Sequence, residues 1–69
     1  MTRLVFLAQT RGDIHPMMAY TGDLQRGCER FSRLFRYDVF WVVRDNMVYR
    51  CCSDDGIYWR LIDGSSFEI

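Results

Sequence analysis

Between Tyr37 and Cys52 this chain has very little conformational freedom. Tyr37–Arg44 is a run of aromatic and β-branched residues, Met47–Cys52 is a second β-forming run, and only Asp45-Asn46 separates them. Two such runs joined by two turn residues read as a tight antiparallel hairpin. A hairpin of this kind sets its own register: Val43 faces Val48, Trp41 faces Arg50 and Val39 faces Cys52. Two strands alone are marginal in water, so the flanking residues must add strands or a covering helix.

The flanks supply both. Arg3–Gln9 alternates Leu4, Phe6 and Ala8 with Arg3, Val5, Leu7 and Gln9, which predicts a strand with apolar contacts on both faces. Thr10–Asp13 is a turn. Ile14–Tyr20 has no clear period, and Pro16 pushes His15 out of the helical region, so this segment reads as an ordered loop. A helix then starts with Thr21 as N-cap and Asp23 in its first turn. Leu24, Cys28, Phe31 and Phe35 form one apolar stripe, Arg26, Arg30 and Arg33 lie opposite, and the helix runs to about Arg36. Gly27 inside it weakens the helix by roughly 1 kcal/mol relative to Ala and marks a close approach to the sheet. Beyond the hairpin, Asp54-Asp55-Gly56 is a turn feeding Ile57–Ile62. Asp63-Gly64 is a further turn, followed by a short edge strand over Ser65–Ile69.

These elements predict an α+β fold in the order β-α-β-β-β, with a further edge strand, in one small domain over residues 1–69. One amphipathic helix packs on an antiparallel meander. Carried through the turns, parity groups Val39, Trp41, Val43, Val48, Trp59 and Leu61 on one face, the natural bed for the helix. The other face holds Phe40, Val42, Met47, Tyr49, Cys51, Tyr58 and Ile62 with Arg44 and Arg60. One short helix covers only one side, so this second face is expected to be partly exposed. Arg50, opposite Trp41 and near Trp59, is expected to stack between the two indoles.

With 69 residues the core is small, and such a core rarely supplies more than ~3–5 kcal/mol. That excludes a multidomain enzyme, a complete dinucleotide-binding domain and a TIM barrel. The reactive residues narrow the field further. A single His, no C-x-x-C and no Gly-rich phosphate loop leave no metal, cofactor or nucleotide chemistry to expect. Cys51 or Cys52 with His15 lacks a third group to orient the pair, so no catalytic residue is assigned and no enzyme is expected. Cys28, Cys51 and Cys52 are odd in number, and the adjacent pair points to opposite faces of a strand. Reduced thiols fit a cytoplasmic protein. Leu4–Ala8 is too short for a secretory signal, and no run is long enough to span a bilayer, so no membrane partner is expected. Arg11-Gly12-Asp13 spells an integrin-recognition tripeptide, but turns routinely contain these residues.

What remains is binding. All nine basic residues are Arg, balanced by nine acids to zero net charge. Arg suits planar, bidentate and stacked contacts, although codon bias in a GC-rich genome produces the same usage. Residues 1–37 carry six Arg against Asp13, Asp23 and Glu29, while residues 38–69 carry three Arg against six acids. A neutral protein with two poles steers a partner to one side. Tyr, Phe, Met and Arg are enriched at interface cores, so the candidate partner-binding residues are Phe40, Arg44, Tyr49, Tyr58 and Arg60 on the sheet and Arg26, Arg30 and Arg33 on the helix. In size and in its lack of catalytic chemistry the chain resembles the small inhibitors that phages encode against bacterial defence, anti-CRISPR proteins among them. That likeness is of type, with no shared motif. It implies a stoichiometric inhibitor of a larger protein or ribonucleoprotein complex. The alternative is a small binder of single-stranded nucleic acid, or an accessory subunit, using aromatics interleaved with Arg. A homodimer is the other use of an uncovered face.

Overall fold

The computed structural model describes residues 2–66. Five antiparallel strands and one helix occur in the order β1 (Arg3–Thr10), β2 (Asp13–Thr21), α1 (Leu24–Phe35), β3 (Val39–Arg44), β4 (Met47–Cys52) and β5 (Arg60–Ser66). The strand order is β2-β1-β3-β4-β5, so the chain crosses once, through α1, and otherwise pairs with its neighbour. This is the small α+β fold of one helix on an antiparallel sheet.

The central hairpin has the register its sequence specifies, with Val43 opposite Val48, Trp41 opposite Arg50 and Val39 opposite Cys52. Asp45 and Asn46 both take positive φ, 53° and 65°, the backbone that lets a two-residue turn follow the twist of its strands. Arg11 and Gly12 do the same at 53° and 90° between β1 and β2.

Residues 14–20 are where the sequence reading and the structure part. They form most of β2 rather than a loop. Pro16 lacks an N–H for a sheet ladder, but β2 is an edge strand and Met17 forms a bulge, with Met18 opposite Phe6 and Pro16 opposite Leu7. Edges and bulges are the sites a strand offers to proline. The helix cap also moves. Thr21 closes β2, and Asp23 is the N-cap, its carboxylate accepting from the Arg26 amide at 3.1 Å. Arg36, at φ 59°, ends the helix as a left-handed C-cap.

The last strand starts later than its turn residues suggest. Ser53–Trp59 is a seven-residue connection, and Cys52 pairs with Arg60, so Leu61 meets Cys51 and Ile62 meets Arg50. Asp63-Gly64 makes no turn. The strand continues through it, with two residues standing against Tyr49, as glycine in a strand often marks. Of the expected edge strand over 65–69, Ser65 and Ser66 belong to β5, and 67–69 lie outside the described residues.

The core sits between α1 and one sheet face. Leu4, Phe6 and Ala8 of β1, Phe40 and Val42 of β3, Cys51 of β4, Trp59, and Cys28 and Phe31 of α1 are all buried. Phe31 lies 5.5 Å from Phe6 and 4.7 Å from Phe40, centroid to centroid, and Trp59 lies 4.9 Å from Phe40. Gly27 lets the helix approach this closely, because a Cβ there would stand 2.8 Å from Phe6 Cζ. The helix therefore covers the Phe40 face and leaves the Trp41 face uncovered, the reverse of the sequence expectation for the hairpin, while Trp59 and Leu61 do pack on the helix side as expected.

Charge at mid-strand accounts for the choice. Both faces of the hairpin are apolar, but the Trp41 face carries Arg50 in the middle of β4 and, through the later register, Arg60. The Phe40 face has only Arg44, at the strand end beside the turn. Burying an unpaired guanidinium under a helix costs several kcal/mol, so the helix settles where the mid-strand positions are Val42, Tyr49 and Cys51.

Candidate functional site

The eight residues singled out from the sequence fall in four places. Phe40 is fully buried beneath α1 and is core, not a partner contact. Tyr49 is half-buried on the same face and packs against the core. Arg44 lies over the Tyr49 ring at 5.3 Å, so this cation–π pair finishes the open end of the inner face. Arg60 projects on the outer face, where its guanidinium meets Asp54 at 3.3 Å. Tyr58 belongs to the connecting loop and is 60% exposed, next to Ile57 at 76%. The predicted Phe40–Tyr49–Tyr58–Arg60 surface is thus divided by the sheet itself.

That loop is ordered by side chains. Asp55 Oδ1 accepts from the Ser53 hydroxyl and from the Ile57 and Tyr58 amides at 3.1, 2.8 and 3.1 Å, and Ser53 Oγ accepts from the Gly56 amide. The Ile57 and Tyr58 amides, followed by the Ser53 hydroxyl, hold the Asp55 carboxyl below its ordinary value. Gln25 reaches from the helix to clamp Trp59 at both backbone groups, accepting from its N–H and donating to its carbonyl, each at 2.8 Å. This clamp turns Trp59 into the core and away from Arg50, so the expected indole–guanidinium–indole stack does not form.

The helix arginines do come together. Arg26, Arg30 and Arg33 line an open cleft of about 510 Å³ with Tyr20, Glu29 and Leu34. Glu29 pairs with Arg33 at 3.1 Å, one turn away along an exposed helix face. Such pairs contribute only ~0.3–0.5 kcal/mol, so this cleft is a mostly solvated basic surface.

The larger concavity lies on the outer sheet face, and the sequence reading had buried it. Val5 and Leu7 of β1, Ile14 and Pro16 of β2, Trp41 and Val43 of β3, and Asn46 and Val48 around the hairpin line about 630 Å³. Leu7 is nearly buried without any helix above it, because Pro16 and Trp41 stand on either side of it in register. Arg50 is exposed next to this concavity, opposite Trp41. The sequence did carry a signal for this surface: the charge at position 50, weighed against a neutral mid-strand on the other face.

Cys51 is buried, and a hydrogen bond with Cys28 together with burial pushes its thiol far above the ordinary value, so it stays protonated. His15 is exposed on β2. Among the described residues no cluster of His, Cys, Asp or Glu could hold a metal ion, and no helix is long and apolar enough to cross a membrane. Comparison with protein-family models, with curated proteins and with solved structures gives no match.

Proposed function

We propose that this chain is a non-catalytic protein-binding module that blocks a surface of a larger protein or ribonucleoprotein by stoichiometric occupancy. A phage-type anti-defence inhibitor, such as an anti-CRISPR protein, is the kind of molecule meant. The observation that carries the reading is the uncovered outer sheet face, with Trp41 at its centre and Val5, Leu7, Ile14, Pro16, Val43 and Val48 around it. Apolar surface gathered in one concavity, with an aromatic anchor and an adjacent Arg, has the make-up of an interface core. Its natural test is crosslinking in the native host from a photoreactive residue placed at Val43, with a second placed at the exposed helix position Leu34. A single adduct from position 43, competed away by unmodified protein, supports the reading. An adduct formed only from position 34 overturns it.

One observation favours a second reading. The Arg26, Arg30 and Arg33 cleft, with Tyr20 at its edge, suits a phosphate strand beside a stacked base. Titration with a fluorescent oligothymidylate decides between the two. Phosphate binding weakens log-linearly with salt, whereas an apolar interface is nearly indifferent to it.

A further inference from the structure

We infer that the outer sheet face receives an apolar segment of its protein partner that carries one carboxylate, and that Arg50 is the residue that reads this charge. The inference rests on the protein-binding reading above and gives that partner a chemistry.

Arg50 stands at mid-strand on β4, beside the concavity. Trp41 stands opposite it on β3, Ile62 opposite it on β5, and Val48 and Cys52 flank it along β4. Three other arginines are engaged, Arg33 with Glu29, Arg60 with Asp54 and Arg44 over Tyr49. Among the residues whose side chains are described, 2–62, Arg50 has no ion pair and no aromatic partner. The described strand side chains around it, Val5, Leu7, Ile14, Pro16, Val39, Trp41, Val43 and Val48, carry no carboxylate, and Asp54 at the far edge is taken by Arg60.

Covering this face desolvates Arg50, and a guanidinium stripped of water without an anion is strongly unfavourable. The occupant must therefore bring the negative charge. A second copy of this chain brings no free one, because the carboxylate at this face, Asp54, is already held by Arg60, and a two-fold contact would bury two Arg50 guanidinium groups against each other's apolar surface. A nucleic-acid strand brings too much, one charge per nucleotide onto a surface where Arg50 is flanked by apolar side chains and Arg60 is already paired with Asp54. A peptide segment with an Asp or Glu between apolar residues matches both needs. Its apolar side chains fill the concavity around Leu7 and Trp41, and its carboxylate takes the planar fork of Arg50 in a bidentate pair.

The test is a display library of short random peptides panned against the intact protein. Enriched sequences should combine aliphatic or aromatic residues with one Asp or Glu. A synthetic peptide from that set should bind Arg50→Gln at least about tenfold more weakly, with Arg50→Lys between Arg50→Gln and wild type. Replacing the peptide's acid by its amide should weaken binding to wild type but add little further loss on Arg50→Gln. Peptides that depend on Trp41 and ignore Arg50 would overturn the carboxylate inference while leaving the sheet-face reading in place. Peptides indifferent to Trp41→Ala, a library with nothing above the Trp41→Ala background, or a dimer in sedimentation that Trp41→Asp dissociates would overturn both.

Discussion

The two faces of this sheet are built from similar residues and have opposite fates. The inner face carries Leu4, Phe6, Ala8, Phe40, Val42 and Cys51, all sealed under α1. The outer face carries Val5, Leu7, Trp41, Val43 and Val48, and only Leu7 is sealed. Hydrophobicity alone does not separate them, since of the two tryptophans Trp59 is in the core and Trp41 is on the face left open. The separation comes from where the charges fall and from where a helix can come close. Arg50 at mid-strand disqualifies one face, and Gly27 above Phe6 fits the helix to the other.

The contrast breaks first at neighbouring residues of β3. Phe40→Ala removes a fully buried ring touching Phe6, Phe31 and Trp59, and should cost about 3–5 kcal/mol, enough to unfold most of so small a domain. Trp41→Ala, one residue along on the open face, should cost less than half as much and keep a cooperative urea transition. Equal losses at both positions would mean that the outer face is a second core. Next in size is Gly27→Ala. Intrinsic propensity alone favours Ala by about 1 kcal/mol, but the new methyl would meet the buried Phe6 ring and the Tyr20 ring, and overpacking of this kind costs about 1–3 kcal/mol. A lower melting temperature is expected, and a higher one would show that the helix rides further from the sheet.

The clamp on Trp59 sharpens the comparison more finely. Gln25→Ala strips partners from both backbone groups of Trp59 and should destabilise by about 1–3 kcal/mol. Gln25→Glu, which keeps the acceptor and loses the donor, should fall between Ala and wild type in chemical denaturation. The smallest effect is local and depends on pH. Asp55 has its folded value depressed, so its contribution is complete above the ordinary aspartate range and is lost as pH falls below about 4 through the depressed value. Amide exchange at Ile57 and Tyr58 should accelerate over that interval, and Asp55→Ala, which removes the acceptor, should bring fast exchange at neutral pH. Unchanged exchange in Asp55→Ala would show that these two amides are protected without the Asp55 carboxylate.

Local sequence carried much of this fold because its signals are local in origin. The β3–β4 register follows from Asp45-Asn46 and the pleat, since a two-residue turn leaves no other pairing. The helix stripe of Cys28 and Phe31, and the close approach at Gly27, follow from the helical period. The candidate site was legible only in pieces: Arg26, Arg30 and Arg33 share one cleft as their spacing requires, whereas Phe40 and Tyr49 are on the buried side.

What the chain could not state residue by residue was anything that depends on two distant segments meeting. β2 is a strand because β1 offers it an edge and a bulge absorbs Met17, although Pro16 argues against a strand when read alone. The parity of β5 depends on a seven-residue connection whose length is set by Asp55, Ser53 and a glutamine 34 positions before Trp59. The choice of buried face compares the desolvation of Arg50 and Arg60 with that of Arg44, and that comparison exists only once β3, β4 and β5 are in register. Local pattern was enough for β1, the helix and the β3–β4 hairpin with their periodicities, but not for β2 or the span of β5. Tertiary structure decided which side of the sheet is core and which is left to meet a partner, because burying a charge is costed against all its neighbours at once.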